Sequence, residues 1–218
     1  MIVKGEAAKN FDSLPSLWTE NLEKNVPAGS DQVLLVIGET LTSPPVRIYL
    51  IERNKGRWKQ VDGPIEAIAG RGGFALPGEK EEGDGQTPIG FYPLELTFGY
   101  APEISTKMGY RQALDDDVWV DDTNSPDYNR WVKGGETRAA SFEQMRRKDN
   151  LYKYGIVIGY NRNPVVKGRG SAIFFHVWKG KGEPTAGCIA TAEESLLRIL
   201  GWLDPSANPL VAIGNAQS

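Results

Sequence analysis

Short apolar, β-branched runs alternate along the chain with clusters of Gly, Pro and charge, a pattern that predicts many strands and few helices. Strands are expected at 32–37, 46–52, 58–61, 65–69, 88–96, 154–160, 171–178 and 209–213. Two stretches carry helical spacing instead. Phe11, Leu14, Leu17, Trp18 and Leu22 fall on one helical face, with Ser13 as a cap before Pro15. Further on, Thr191 and Glu194 form a capping box, followed by Ala192, Leu196, Leu197, Leu200 and Leu203 until Pro205. The Gly- and charge-rich stretch 70–86 reads as a mobile loop. The expected fold is mainly β, an antiparallel sandwich or barrel-like domain with a few peripheral helices. A helical extension over 1–30 is expected to pack on a domain spanning 31–218.

The chemistry concentrates near the C-terminal end. The only histidine, His176, lies near the end of the apolar run SAIFFHVW, and the only cysteine, Cys188, follows twelve residues later in PTAGCIAT. A thiol becomes a useful nucleophile when an imidazole takes its proton. Gly180, Gly182 and Pro184 break the strand and place Cys188 on a connection ahead of the helix, where free N–H groups and the dipole favour thiolate. Gly187 lets the backbone approach a ligand closely, so N–H groups at 187 and 188 are candidates for an oxyanion hole. These are the parts of an acyl-transfer site. The plain alternative is two ordinary buried residues.

At these residues the sequence resembles the L,D-transpeptidases with the YkuD-type catalytic domain. Thr185, Gly187 and Cys188 match the family's Ser/Thr-His-Gly-Cys core, and His176 matches its upstream histidine. The stretch GDGQTPIGFYPL, residues 83–94, looks like the family's Asp-Gly-x-Thr-Pro-x-Gly segment. Ala186 replaces the histidine before the glycine, Ala190 stands where asparagine is common, and the spacer is short. The resemblance implies a cysteine acyltransferase acting on peptidoglycan stem peptides, open to carbapenem inhibitors and needing no metal or cofactor. It implies an extracytoplasmic protein, although the first residues, MIVKGEAAKNFDSL, have no signal-peptide pattern, so an export segment is expected to be missing. An L,D-carboxypeptidase and a catalytically impaired wall-binding domain remain open.

Charge narrows the partners. Lys plus Arg number 25 and Asp plus Glu 28, so the net charge of −3 gives no basis for a nucleic-acid partner. One cysteine and one histidine leave little for a Cys- or His-based metal site, and no apolar run is long enough to span a bilayer. Other candidates are weaker. Asp121 and Asp122, in an acidic stretch with 115–117, read as a solvated loop around a short strand, with attraction of a cationic substrate amine as the functional alternative. Arg146, Arg147 and Arg162 have the fork that clamps a peptide carboxylate, with plain surface as the alternative. Tyr154 is a candidate to face the substrate from its strand.

Overall fold

The computed structural model describes residues 16–216. In order these are α1 (Ser16–Asn25), β1 (Gln32–Gly38), β2 (Pro45–Asn54), β3 (Arg57–Ile68), β4 (Phe74–Ala75), β5 (Thr87–Pro88), β6 (Gly90–Gly99) and β7 (Tyr110–Gln112). There follow β8 (Asp117–Val120), β9 (Trp131–Lys133), β10 (Phe142–Gln144), β11 (Tyr154–Ile158), β12 (Phe174–Val177), β13 (Ile189–Thr191), α2 (Glu193–Trp202) and β14 (Leu210–Asn215). Of the N-terminal helical face, Phe11, Ser13, Leu14 and Pro15 lie outside the described residues. Trp18 and Leu22 are buried against Val33, Leu35, Ile51 and Ala212.

Nine strands form one sheet in the order β11-β12-β13-β3-β2-β1-β14-β6-β7, and β11 also pairs with β6. That extra pairing closes eight strands into a ring. The strand period of two sends alternate side chains inward. Leu34, Val36, Ile48, Ile65, Leu94, Ile156, Phe175, Ile189 and Val211 thus fill one core with Leu196, Ile199 and Leu200 of α2. The opposite face carries two smaller cores. One lies under α1. The other gathers Phe98, Val157 and Phe174 of the ring with Trp119, Met145 and Tyr152, beneath the separate sheet β10-β8-β9.

The mainly β, barrel-like expectation holds, but the pairing is mixed: β1–β14, β12–β13 and β6–β7 run parallel. The separate strands expected at 58–61 and 65–69 are one, because β3 runs through Gly63-Pro64 with register shifts against β2. The expected run 171–178 pairs only over β12, since Ala172 takes a left-handed φ of 53° that interrupts it. The stretch 70–86 is no free loop. It is fastened by Gly72 N–H to Gly85 O (3.0 Å) and Arg71 N–H to Thr185 O (2.8 Å), with the buried Lys80 ammonium on Asp84 (2.6 Å).

The capping box is also corrected. α2 forms where expected, but its N-cap is Ala192 with no side-chain bond. Thr191 belongs to β13 and is fully buried, and its hydroxyl donates to the Glu66 carbonyl of β3 at 2.6 Å. The ladder claimed the residue because it extends the pairing to Ala67. Thr191→Val should therefore cost about 1 kcal/mol, the net worth of one buried hydrogen bond. Urea unfolding should show that loss, with the helical circular-dichroism signal of the folded state unchanged.

Candidate active site

The parallel ladder between β12 and β13 sets His176 opposite Ala190. Cys188 precedes Ala190 by two residues, and a two-residue step along extended chain returns to the same face. Both side chains accordingly line one cavity of about 200 Å³, shared with Glu143, Arg147, Tyr152, Thr185 and Ala186. The Tyr152 ring meets the imidazole edge-on, 5.2 Å between centroids.

A web of hydrogen bonds fixes the turn that carries the cysteine. The Thr185 hydroxyl donates to Cys188 O (2.6 Å) and accepts from Gly187 N–H (3.1 Å). Behind the turn, the buried Thr87 hydroxyl accepts from Gly70 N–H (2.9 Å) and donates to Gly187 O (2.8 Å). Gly187 has a φ of 142°, and a Cβ there would stand 3.0 Å from the Gln86 carbonyl oxygen, so both conformation and space require glycine. The GDGQTPIG stretch is therefore the support of the turn that carries Cys188: Asp84 organises it by accepting from the Glu81 and Gln86 N–H groups (both 2.8 Å), and Thr87 reaches across. Thr185 lines the cavity as expected, but its hydroxyl is committed to the turn.

Protonation departs from expectation. β13 separates Cys188 from α2, so no helix N-terminus faces the thiol. Only 6% of the residue is exposed, and burial pushes its pKa up to about 12, reinforced by the nearby Glu143 carboxyl. The thiol donates to Ala172 O (3.2 Å) and its sulfur accepts from Phe174 N–H (3.4 Å). Burial also lowers His176 to about 4, against the opposing effect of its bond to Val177. That bond, Nδ1 to Val177 O at 2.8 Å, fixes the tautomer, because a carbonyl only accepts. Nδ1 carries the proton and Nε2 keeps the lone pair. At rest the pair is a neutral thiol beside a neutral imidazole.

The other expected residues lie elsewhere. Tyr154 packs against the ring's inner core, because alternation along β11 points it away from the cavity face. Arg162 binds Glu95 (3.2 Å) and the Asn129 carbonyl, and stacks over Trp119 at 4.7 Å. Asp122 accepts from Asn124 and Ala140 N–H groups (2.9 and 2.8 Å), holding a turn. Asp121 is not part of the cavity wall, though its buried Oδ1 has no hydrogen-bond partner among the described residues. Of the three arginines only Arg147 reaches the cavity, and Asp149 already holds its guanidinium in a fork (Nε to Oδ1 2.9 Å, NH2 to Oδ2 2.6 Å). Glu143 and Tyr152 carry no motif or spacing that singles them out; the pairing of β10 with β8 brings Glu143 here, and Tyr152 enters from the turn before β11.

Two outcomes follow from this geometry. Iodoacetamide should modify Cys188 more slowly than a free model thiol at about pH 7, because the thiolate fraction is suppressed by the raised pKa. Its rate should keep climbing to about pH 10, whereas the model thiol levels off above its own pKa of about 8.5. Thr87→Val should cost about 1–3 kcal/mol in urea unfolding, by leaving the Gly70 N–H and Gly187 carbonyl unpaired. The same variant should broaden the amide signals of residues 185–188 in NMR spectra.

No curated protein matches the chain. A crystal structure of the helical cell shape determining protein Pgp2 from Campylobacter jejuni is similar at 16% identity and a TM-score of 0.41, over 91% of this chain and 54% of that one. The chain thus spans about half the length of that protein. The model of the L,D-transpeptidase catalytic domain, YkuD, matches residues 41–212, which include His176, Cys188 and the Thr87 support, and the chain belongs to that family.

Proposed function

We propose that this protein is a cysteine acyltransferase acting on peptidoglycan stem peptides, with Cys188 as nucleophile and His176 as general base and acid. The observation that carries the reading is the joint placement of the sole thiol and the sole imidazole in one cavity, with Nε2 left free by the Nδ1 bond to Val177. The neutral resting pair makes proton transfer part of the attack. As the sulfur bonds to the carbonyl carbon, its proton passes to Nε2, and the carbonyl electrons move onto oxygen. Gly187 N–H is engaged by Thr185, so the Cys188 N–H is the principal oxyanion donor. Collapse breaks the C–N bond, the imidazolium protonates the departing amino acid, and a thioester remains. An amine from a second stem then attacks, loses its proton to His176, and releases the thiol. Such a substrate lies outside the cytoplasmic membrane, which makes the protein extracytoplasmic.

One observation favours a second reading. A thiol held near 12 beside an imidazole near 4 is what a wall-binding domain that has lost catalysis would also show. Intact-mass spectrometry after incubation with a carbapenem separates the two. A stable adduct mapped to Cys188, absent in Cys188→Ala, is expected for the enzyme; no adduct favours the binding domain. With stem tetrapeptides, dimer formation identifies transfer, and tripeptide alone under acceptor-rich conditions identifies an L,D-carboxypeptidase.

A further inference from the structure

The cavity contains a carboxylate that the acyl-transfer steps leave unused. Glu143 sits on β10 facing the ring, where its ladder partner Trp119 enters the core around Cys188. The residue as a whole is half-buried, but its carboxyl group is enclosed, and Oε2 accepts a hydrogen bond from the Tyr152 hydroxyl. Tyr152 is itself buried between Phe98 and Phe174, so the carboxyl group is held by a rigid partner.

The charges around it do not balance. Arg147 is the cation nearest in effect, yet Asp149 already forks its guanidinium. Glu82 and Asp121 add negative field on the same carboxyl, and Glu82 has only the Tyr128 hydroxyl (2.5 Å) as a bonded side-chain partner among the described residues. The remaining charged groups of the cavity, Lys179 and Glu183, are exposed at its lip and opposite in sign. An enclosed anion without a cation of its own is costly unless a ligand supplies one.

Resting on the stem-peptide reading, we propose that Glu143 is a specificity-determining residue that seats a cationic amine of the substrate beside Cys188. The diamino-acid residue next to the attacked carbonyl carries such an amine on its side chain. Burial holds the Glu143 carboxyl above the ordinary range, against the bond from Tyr152, so an arriving ammonium also favours its ionised form.

The test measures binding by calorimetry in Cys188→Ala protein, where no turnover intervenes. The ligands are a lysine-containing stem tetrapeptide and the same peptide acetylated at the lysine Nε. The free amine should bind about 10-fold tighter or more, as expected for a hydrogen bond between charged groups in an enclosed site. Adding Glu143→Gln should bring the two affinities within about twofold. Should that variant not fold, Glu143→Asp, which withdraws the charge by one methylene, should lower the ratio several-fold. Equal affinities before the second substitution, or an unchanged ratio after it, overturn the proposal while leaving the stem-peptide reading intact. Binding of neither peptide overturns both. Discrimination without turnover of the free-amine peptide by the unsubstituted protein overturns the reading of activity alone.

Discussion

One hydroxyl ties the reactive turn to the rest of the molecule. Thr87 reaches from the segment after β4 to the Gly187 carbonyl, and holds Gly70 N–H with its lone pair. Gly70 itself admits no side chain, since a Cβ would stand 2.2 Å from the Gly85 carbonyl oxygen. Three backbone stretches far apart in sequence therefore meet with no atoms to spare. The bond works in a buried setting, where an unsatisfied donor or acceptor is costly, and this gives a polar contact the authority of a packing contact. The sulfur's position depends on it, as does the shape of the cavity.

The same burial that orders the turn sets its reactivity. Removing the thiol and the imidazole from water penalises the charged form of each, so thiol and imidazole stay neutral until something enters. A free thiolate would invite alkylation and oxidation. Here the sulfur is bonded between Ala172 O and Phe174 N–H, which holds the thiol proton on a backbone carbonyl.

Much of this was legible in the chain. Apolar, β-branched runs marked seven of the eight strands of the ring, β13 being the exception, and helical spacing marked α2, because both patterns record which residues meet the core. His176 and Cys188 stood out because each is unique. What escaped was whatever depends on partners distant in sequence. Thr191 has the look of a cap, but a carbonyl on β3 outcompetes the helix for its hydroxyl. Tyr154 and Arg162 are chemically suited to a substrate, yet strand parity turns one inward and Glu95 claims the other. Glu143 sits in a three-residue strand whose pattern of exposed, half-buried, exposed is too brief to register as periodicity.

The parallel pairing of β12 and β13 has an evolutionary corollary. Strands that run the same way cannot be joined by a tight hairpin, so the chain must leave the end of β12 and travel back to the start of β13. Ladder register sets His176 opposite Ala190, two positions beyond Cys188, and the returning segment contributes the rim above them. Insertions and deletions between positions 178 and 184 can therefore remodel the entrance while the reacting atoms stay in place. Doorway and floor are thus built by different stretches of the chain.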